Sequence, residues 1–226
     1  MNGDKKTQRK QSGFTLIEIA IVLVIIGLLL GGVLKGQELI NSAKVKNLAG
    51  DFKNIPVYIY GYQDKFRSLP GDDSSALARL GTPAVNGDGD SLIEGTWDSI
   101  TAADESVKFW QHVRLAGLAT GSTVISVAGG KTDPYFHLNA SGGRVGVESG
   151  SPNPPIFGLK GSMYICSEGI LGKFVTQLDT QMDNGTSNTG AMMAYVTSGA
   201  AARSATEPAP AATITDASSY TVCMGV

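Results

Sequence analysis

The sequence predicts an α+β fold in which one long, kinked N-terminal helix packs on a small antiparallel sheet with additional helices. Three observations predict it. An apolar run fills residues 14–34, a stripe of apolar residues at helical spacing follows it, and short alternating segments between glycine turns fill the rest. The 226 residues suffice for one core plus a membrane element.

The apolar run reads FTLIEIAIVLVIIGLLLGGVL and is long enough to cross a bilayer as a helix, which needs about 20 residues. Lys5, Lys6, Arg9 and Lys10 precede it and place its N-terminal side in the cytoplasm. A secretory signal has a shorter apolar region ending in a small-x-small cleavage site, and no such site follows here. Glu18 is the one ionisable side chain in the run. An acid at membrane depth is costly unless paired, which makes it a functional candidate; placed near the headgroups its cost is small.

The pattern continues beyond the run. Val45, Leu48, Phe52, Ile55, Ile59, Tyr62 and Phe66 recur in steps of three and four, with Lys44, Lys46, Asp51, Lys53, Asp64 and Lys65 between them. This is the stripe of an amphipathic helix over 35–68 with one dry face and one wet face. Pro56 removes one backbone donor and crowds the preceding turn, so a kink is expected rather than a stop, because the stripe resumes on the same face. Gly27, Gly31, Gly32 and Gly36 leave room for close helix approach, although glycine is common in membrane helices in any case.

Leu69-Pro70-Gly71-Asp72-Asp73 ends the long helix in a turn, and the head runs over 69–226. Thr101 to Asp104 reads as a capping box for a helix over 104–118. Strands are expected at 124–127, 135–138, 144–147, 162–166 and 220–222. Ile170, Leu171, Phe174, Val175 and Leu178 suggest another amphipathic helix closing near Asn184-Gly185, and 200–212 is an Ala/Pro-rich loop. Cys166 and Cys223 are the only cysteines. In an oxidising compartment they are expected to form a disulfide; otherwise they are two unrelated buried thiols.

Asn86-Gly87-Asp88-Gly89-Asp90 sets three oxygen-bearing side chains at alternate positions, with Glu94 shortly after. Asn86, Asp88, Asp90 and Glu94 are therefore candidate ligands for a hard cation, calcium in particular. The EF-hand pattern fails, because Ser91 stands where its glycine should be and Trp97 where its bidentate Glu should be. The competing reading is a solvated Asx/Gly turn. A second acidic turn holds Asp179, Asp183 and Asn184. No cofactor is required by any of this. His112 and His137, the only histidines, are too isolated for a zinc site. No HExxH, G-x-S-x-G or phosphate loop is present, and enzyme activity is not expected. The net charge of −2 gives no basic field for nucleic acid.

Ser12-Gly13-Phe14-Thr15-Leu16-Ile17-Glu18 resembles the type III signal of type IV pilins and type II secretion pseudopilins. The segments 69–73, 86–90, 109–118 and 178–185 resemble one bacterial subgroup of pilin-like proteins. The resemblance implies a pilin-like fold, a leader of residues 1–13 cut after Gly13 by prepilin peptidase, and N-methylation of Phe14. It implies that Glu18 pairs with the terminal amine of an adjacent subunit during assembly. Its implied partners are other pilin or pseudopilin subunits and an inner-membrane assembly platform. The implied location is the inner membrane, single-pass with the N-terminus cytoplasmic, then a periplasmic or cell-surface filament. The expected function is a structural subunit of a type IV pilus-like filament, minor or accessory. The alternatives are a pseudopilin of a periplasmic type II secretion pseudopilus and, from another class, a membrane-tethered calcium-dependent adhesin.

Overall fold

The computed structural model describes residues 13, 15–149, 153–197 and 208–226. The leader other than Gly13, Phe14, and residues 200–207 of the Ala/Pro-rich loop therefore lie outside the described residues. Helix α1 (Leu16–Phe66) continues unbroken through Pro56. The chain divides into two compact units, Met1–Ser42 and Ala43–Val226, and α1 contributes to both.

In the first unit α1 has no interior. Its apolar side chains lie open, from Leu16 at 92% exposure to Val33 at 57%. It is the one helix among the described residues long and apolar enough to cross a membrane.

The second unit begins with the other part of α1, where the predicted stripe is buried from Val45 to Tyr62. Lys44, Lys46, Lys53, Asp64 and Lys65 are exposed, as the wet face requires. Phe66 is half-buried and lies against the Tyr62 ring, with centroids 4.6 Å apart. The remaining elements are α2 (Ala76–Leu80), α3 (Glu105–Leu115), a 3-10 turn (Gly130–Thr132), β1 (His137–Leu138), β2 (Arg144–Ser149), β3 (Met163–Leu171), α4 (Gly172–Met182), β4 (Met192–Val196) and β5 (Ser219–Gly225). The five strands form one sheet in the order β1-β2-β3-β5-β4, every pair antiparallel. The architecture is α+β and pilin-like.

Strand alternation sorts side chains between two faces. Val145, Val147, Ile165 and Val222 join Leu48, Phe52, Ile55, Trp110 and Phe174 in the main core. The intervening Tyr164, Cys166, Met193 and Cys223 form a second cluster with Trp97, Ile156 and Leu159. Cys166 and Cys223 stand directly opposite each other on β3 and β5 and are disulfide-bonded, as expected for an oxidising compartment.

Several elements differ from the sequence reading. Residues 124–127 form no strand, because α3 claims the neighbouring carbonyls: Arg114 donates to Ser122 O and Gln111 to Thr123 O. Strand β1 is confined to His137–Leu138. Thr101 is not the N-cap; its carbonyl closes a turn with Asp104 N–H, and α3 starts at Glu105 with Asp104 as N-cap. Ile170 and Leu171 belong to β3, where they face Tyr220 and Ser219, so α4 starts later than expected. Strand β4 and the short α2 were not anticipated; β4 has apolar residues at every position and no alternation to mark it.

Candidate functional site

Two places combine unusual chemistry with defined geometry. The first is the start of α1. Thr15 donates to Glu18 Oε2 through both its backbone N–H and its hydroxyl, each at 2.8 Å, and Glu18 N–H donates back to Thr15 Oγ1 at 3.3 Å. This is a reciprocal capping box, which satisfies donors that the first helical turn leaves open. It holds the Glu18 carboxylate against the first turn of α1. Gly13 is exposed, with open space where a side chain would project.

The second place lies in the head. Asp72, Asp88, Asp90 and Glu105 bring one carboxylate oxygen each to within 4.8 Å of one another. Asp72 comes from the turn after α1 and Glu105 from the first turn of α3; both are buried, whereas Asp88 and Asp90 are exposed. The two buried carboxylates organise the loop between them. Asp72 accepts from Gly89 N–H at 2.6 Å and Ser91 N–H at 3.0 Å. Glu105 accepts from Asp88 N–H at 3.0 Å and Glu94 N–H at 3.2 Å. Gly87 is required here, since a Cβ would lie 2.3 Å from the Asp72 backbone. Gly89 is required as well, because its φ of +87° suits few other residues.

Burial pushes both buried carboxyls above the usual range. The Asp90 charge adds to this at Asp72, and the Asp72 and Asp88 charges add to it at Glu105; the backbone N–H bonds oppose it. Hard oxygen donors crowded with unneutralised like charge are a donor set that suits a divalent cation of the calcium type.

The ligand set read from the sequence is corrected in part. Asp88 and Asp90 are in the cluster. Glu94 is outside it and contributes its N–H to Glu105 instead. Asn86 Oδ1 is taken by Leu77 N–H at 2.8 Å. Asp72 and Glu105 were missed because they lie 16 residues before and 17 residues after Asp88, and only the tertiary fold brings them in. Beyond the cluster, Asp179 accepts from Gly185 and Thr186 N–H, and Asp183 accepts from Met192 N–H, so these two acids brace one loop.

His112, buried in α3, ties the same region together. Its Nδ1 accepts from Gly71 N–H and its Nε2 donates to Val85 O, each at 2.8 Å. That pattern needs the neutral ring, and burial lowers its pKa accordingly, against the Val85 bond and the Asp73 charge. His137 is half-exposed and pairs through Nε2 with Asp51 Oδ1 at 2.9 Å. Neither histidine belongs to a cluster of potential metal ligands among the described residues.

Residues 8–34 match the prokaryotic N-terminal methylation motif. The chain carries a prepilin-type signal. No curated protein matches the chain. The prepilin-type signal is that of type IV pilins and pseudopilins and supports a pilin- or pseudopilin-like structural subunit. It implies processing by prepilin peptidase and assembly with other pilin subunits, and with the apolar helix it fits membrane anchoring. Within the signal, Thr15 is the residue the sequence reading passed over. The Thr-x-x-Glu spacing ahead of an apolar run was the cue for its capping role.

Proposed function

We propose that this chain is a minor or accessory subunit of a type IV pilus-like filament, assembled from the inner membrane after cleavage between Gly13 and Phe14. The observation that carries the reading is the prepilin-type signal, with Glu18 as the one acid in its apolar run. An exposed apolar helix is unfavourable in water, and lipid or the helices of other copies would cover it. The accessory role is supported by the size of the head, which runs over 69–226 and includes an Ala/Pro-rich stretch at 200–212.

In this reading Phe14 is N-methylated, and Glu18 meets the new terminal amine of a neighbour while Thr15 holds its carboxylate in place. Calcium at Asp72, Asp88, Asp90 and Glu105 has a structural role: it offsets their mutual repulsion and fixes the loop over 87–91. Calcium addition should raise the Tm of the wild type and leave an Asp72→Asn variant nearly unmoved.

Mass analysis of the purified mature N-terminus is the decisive test. A methylated Phe14 terminus is expected, and an intact Met1 in working protein would remove the proposal. Glu18→Ala should still insert in the membrane and be lost from sheared filaments; normal incorporation would contradict its assembly role. Labelling of engineered surface cysteines on intact cells then separates a cell-surface pilus from a periplasmic pseudopilus.

A further inference from the structure

On the face of the sheet that carries the disulfide, a cavity of ≈ 500 Å³ opens between the loop after β2 and the loop after α4. We infer that this cavity is a binding site for a small organic oxyanion, a carboxylate or phosphate carried on a compact polar body. The inference is independent of the filament role, because every residue of the cavity lies in the head.

Both walls are built in advance. The first wall, with Gly158 and Lys160, is anchored by Ile156 at 0% and Leu159 at 3% exposure, which pack with Trp97, Tyr164 and the disulfide. Phe157 N–H fixes it further on Pro208 O at 2.9 Å. The second wall, with Asn188, Thr189 and Gly190, is braced from behind. Asp179 Oδ1 accepts from Gly185 and Thr186 N–H, Asn184 Nδ2 donates to Thr189 Oγ1, and Asp183 Oδ2 accepts from Met192 N–H. Met193, nearly buried, supplies an apolar floor. A site held in shape by its own backbone bonds loses little entropy on binding.

The Thr189 hydroxyl in the lining is already hydrogen-bonded to Asn184 Nδ2, and two other polar side chains of the lining are not. Among the described residues, neither the Lys160 ammonium nor the Asn188 carboxamide has an ion pair or hydrogen bond, and Lys160 and Asn188 are both residues of the lining. The Asp183 carboxylate lies where a Cβ on Gly190 would project, is not part of the lining, and accepts from Met192 N–H. Among the described residues the lining therefore offers one free cation, one free amide and an apolar floor, within the size range of small-ligand sites. One ammonium matches one oxyanion as a point charge, the carboxamide adds a directed donor, and the floor accepts the ligand's carbon skeleton.

The test uses the full chain in detergent with methyl-labelled methionine, following the Met193 methyl signal, assigned with Met193→Leu. Glucuronate, glucose 6-phosphate and glucose are titrated in turn. Saturable shifts with either anion and none with glucose are expected; response to glucuronate alone assigns a carboxylate, to glucose 6-phosphate alone a phosphate, and to both a general oxyanion site. Lys160→Gln should weaken binding about tenfold, the scale of one charge-assisted hydrogen bond, without altering the spectrum of the core because Lys160 is exposed. Asn188→Ala should weaken it less. No saturable shift with either anion, equal response to glucose, or unchanged binding by Lys160→Gln would each overturn the inference.

Discussion

The two parts of α1 share one backbone conformation and have opposite surroundings. Ile25 is 51% exposed, whereas Ile55, thirty residues later on the same helix, is 1% exposed. The difference lies in the neighbours that the sequence supplies. Up to Ser42 the apolar residues follow one another without a polar face, and their side chains are exposed. After Ala43 they fall on one stripe and meet strands and helices with matching apolar faces. Helix formation is thus the common property. What covers the helix is the variable, and in the first part the apolar side chains lie exposed among the described residues.

That contrast can be broken most sharply with matched truncations. Ile55→Ala removes side-chain atoms from a filled core and should lower the stability of the head by roughly 3 kcal/mol. Ile25→Ala should leave that stability unchanged and show its effect in filament yield. Denaturant unfolding followed by tryptophan fluorescence reads both, and equal losses would mean that the two parts of α1 form one cooperative unit.

Loss of the disulfide should weigh almost as much. Replacing Cys166 and Cys223 together by alanine should cost the head about 3 kcal/mol, since the bond closes a loop between residues 57 apart. The same double variant should insert in the membrane like wild type. Calorimetry with and without reductant checks the first outcome, and membrane fractionation the second.

A smaller effect separates the head by pH. The folded-state pKa of His112 lies below its ordinary 6.5, chiefly through burial. The neutral ring therefore contributes stability that is present above that value and is lost as pH falls through the lower, folded value. The bonds at stake join Gly71 and Val85, with Tyr62, Asp73 and Lys108 as the nearby titratable groups. His112→Gln should cost about 2 kcal/mol at neutral pH. Its stability should fall less than that of wild type on acidification below 6.5, and parallel curves would show that this imidazole does not set the acid limit.

The smallest effect belongs to the start of α1. Thr15→Val removes the hydroxyl from the capping box and should cost about 1 kcal/mol at that helix end alone. Faster amide exchange over the first turn with an unchanged Tm of the head is the expected signature. Thr15→Ser should restore the slower exchange.

Much of this was legible because local patterns carried it. The stripe from Val45 to Tyr62 was read from spacing alone, and each of its residues is buried. Short strands between glycine turns were found where alternation or flanking glycines marked them, as at Arg144 to Val147 and Tyr220 to Val222. The strand expected at 124–127 failed for a reason no local pattern shows, namely that side chains of α3 hold the carbonyls of Ser122 and Thr123 just before it. Strand β4 was missed for the opposite reason. Its first three residues are buried in succession and all five are apolar, so alternation gives no signal. In the acidic loop, Asp88 and Asp90 were visible as an alternating pattern, whereas Asp72 and Glu105 carry no mark that ties them to it.

By itself the sequence determined the prepilin-type signal, the length and apolar character of the first half of α1, and the stripe of the second half. These follow from composition and period along a single helix, where distance in space is proportional to distance in sequence. Tertiary structure alone decided which carboxylates meet, which ring nitrogens of His112 are filled, and that Lys160 and Asn188 line one cavity. Those outcomes depend on loops brought together by the sheet and its two apolar clusters, and contacts between distant segments leave no periodic trace in the chain.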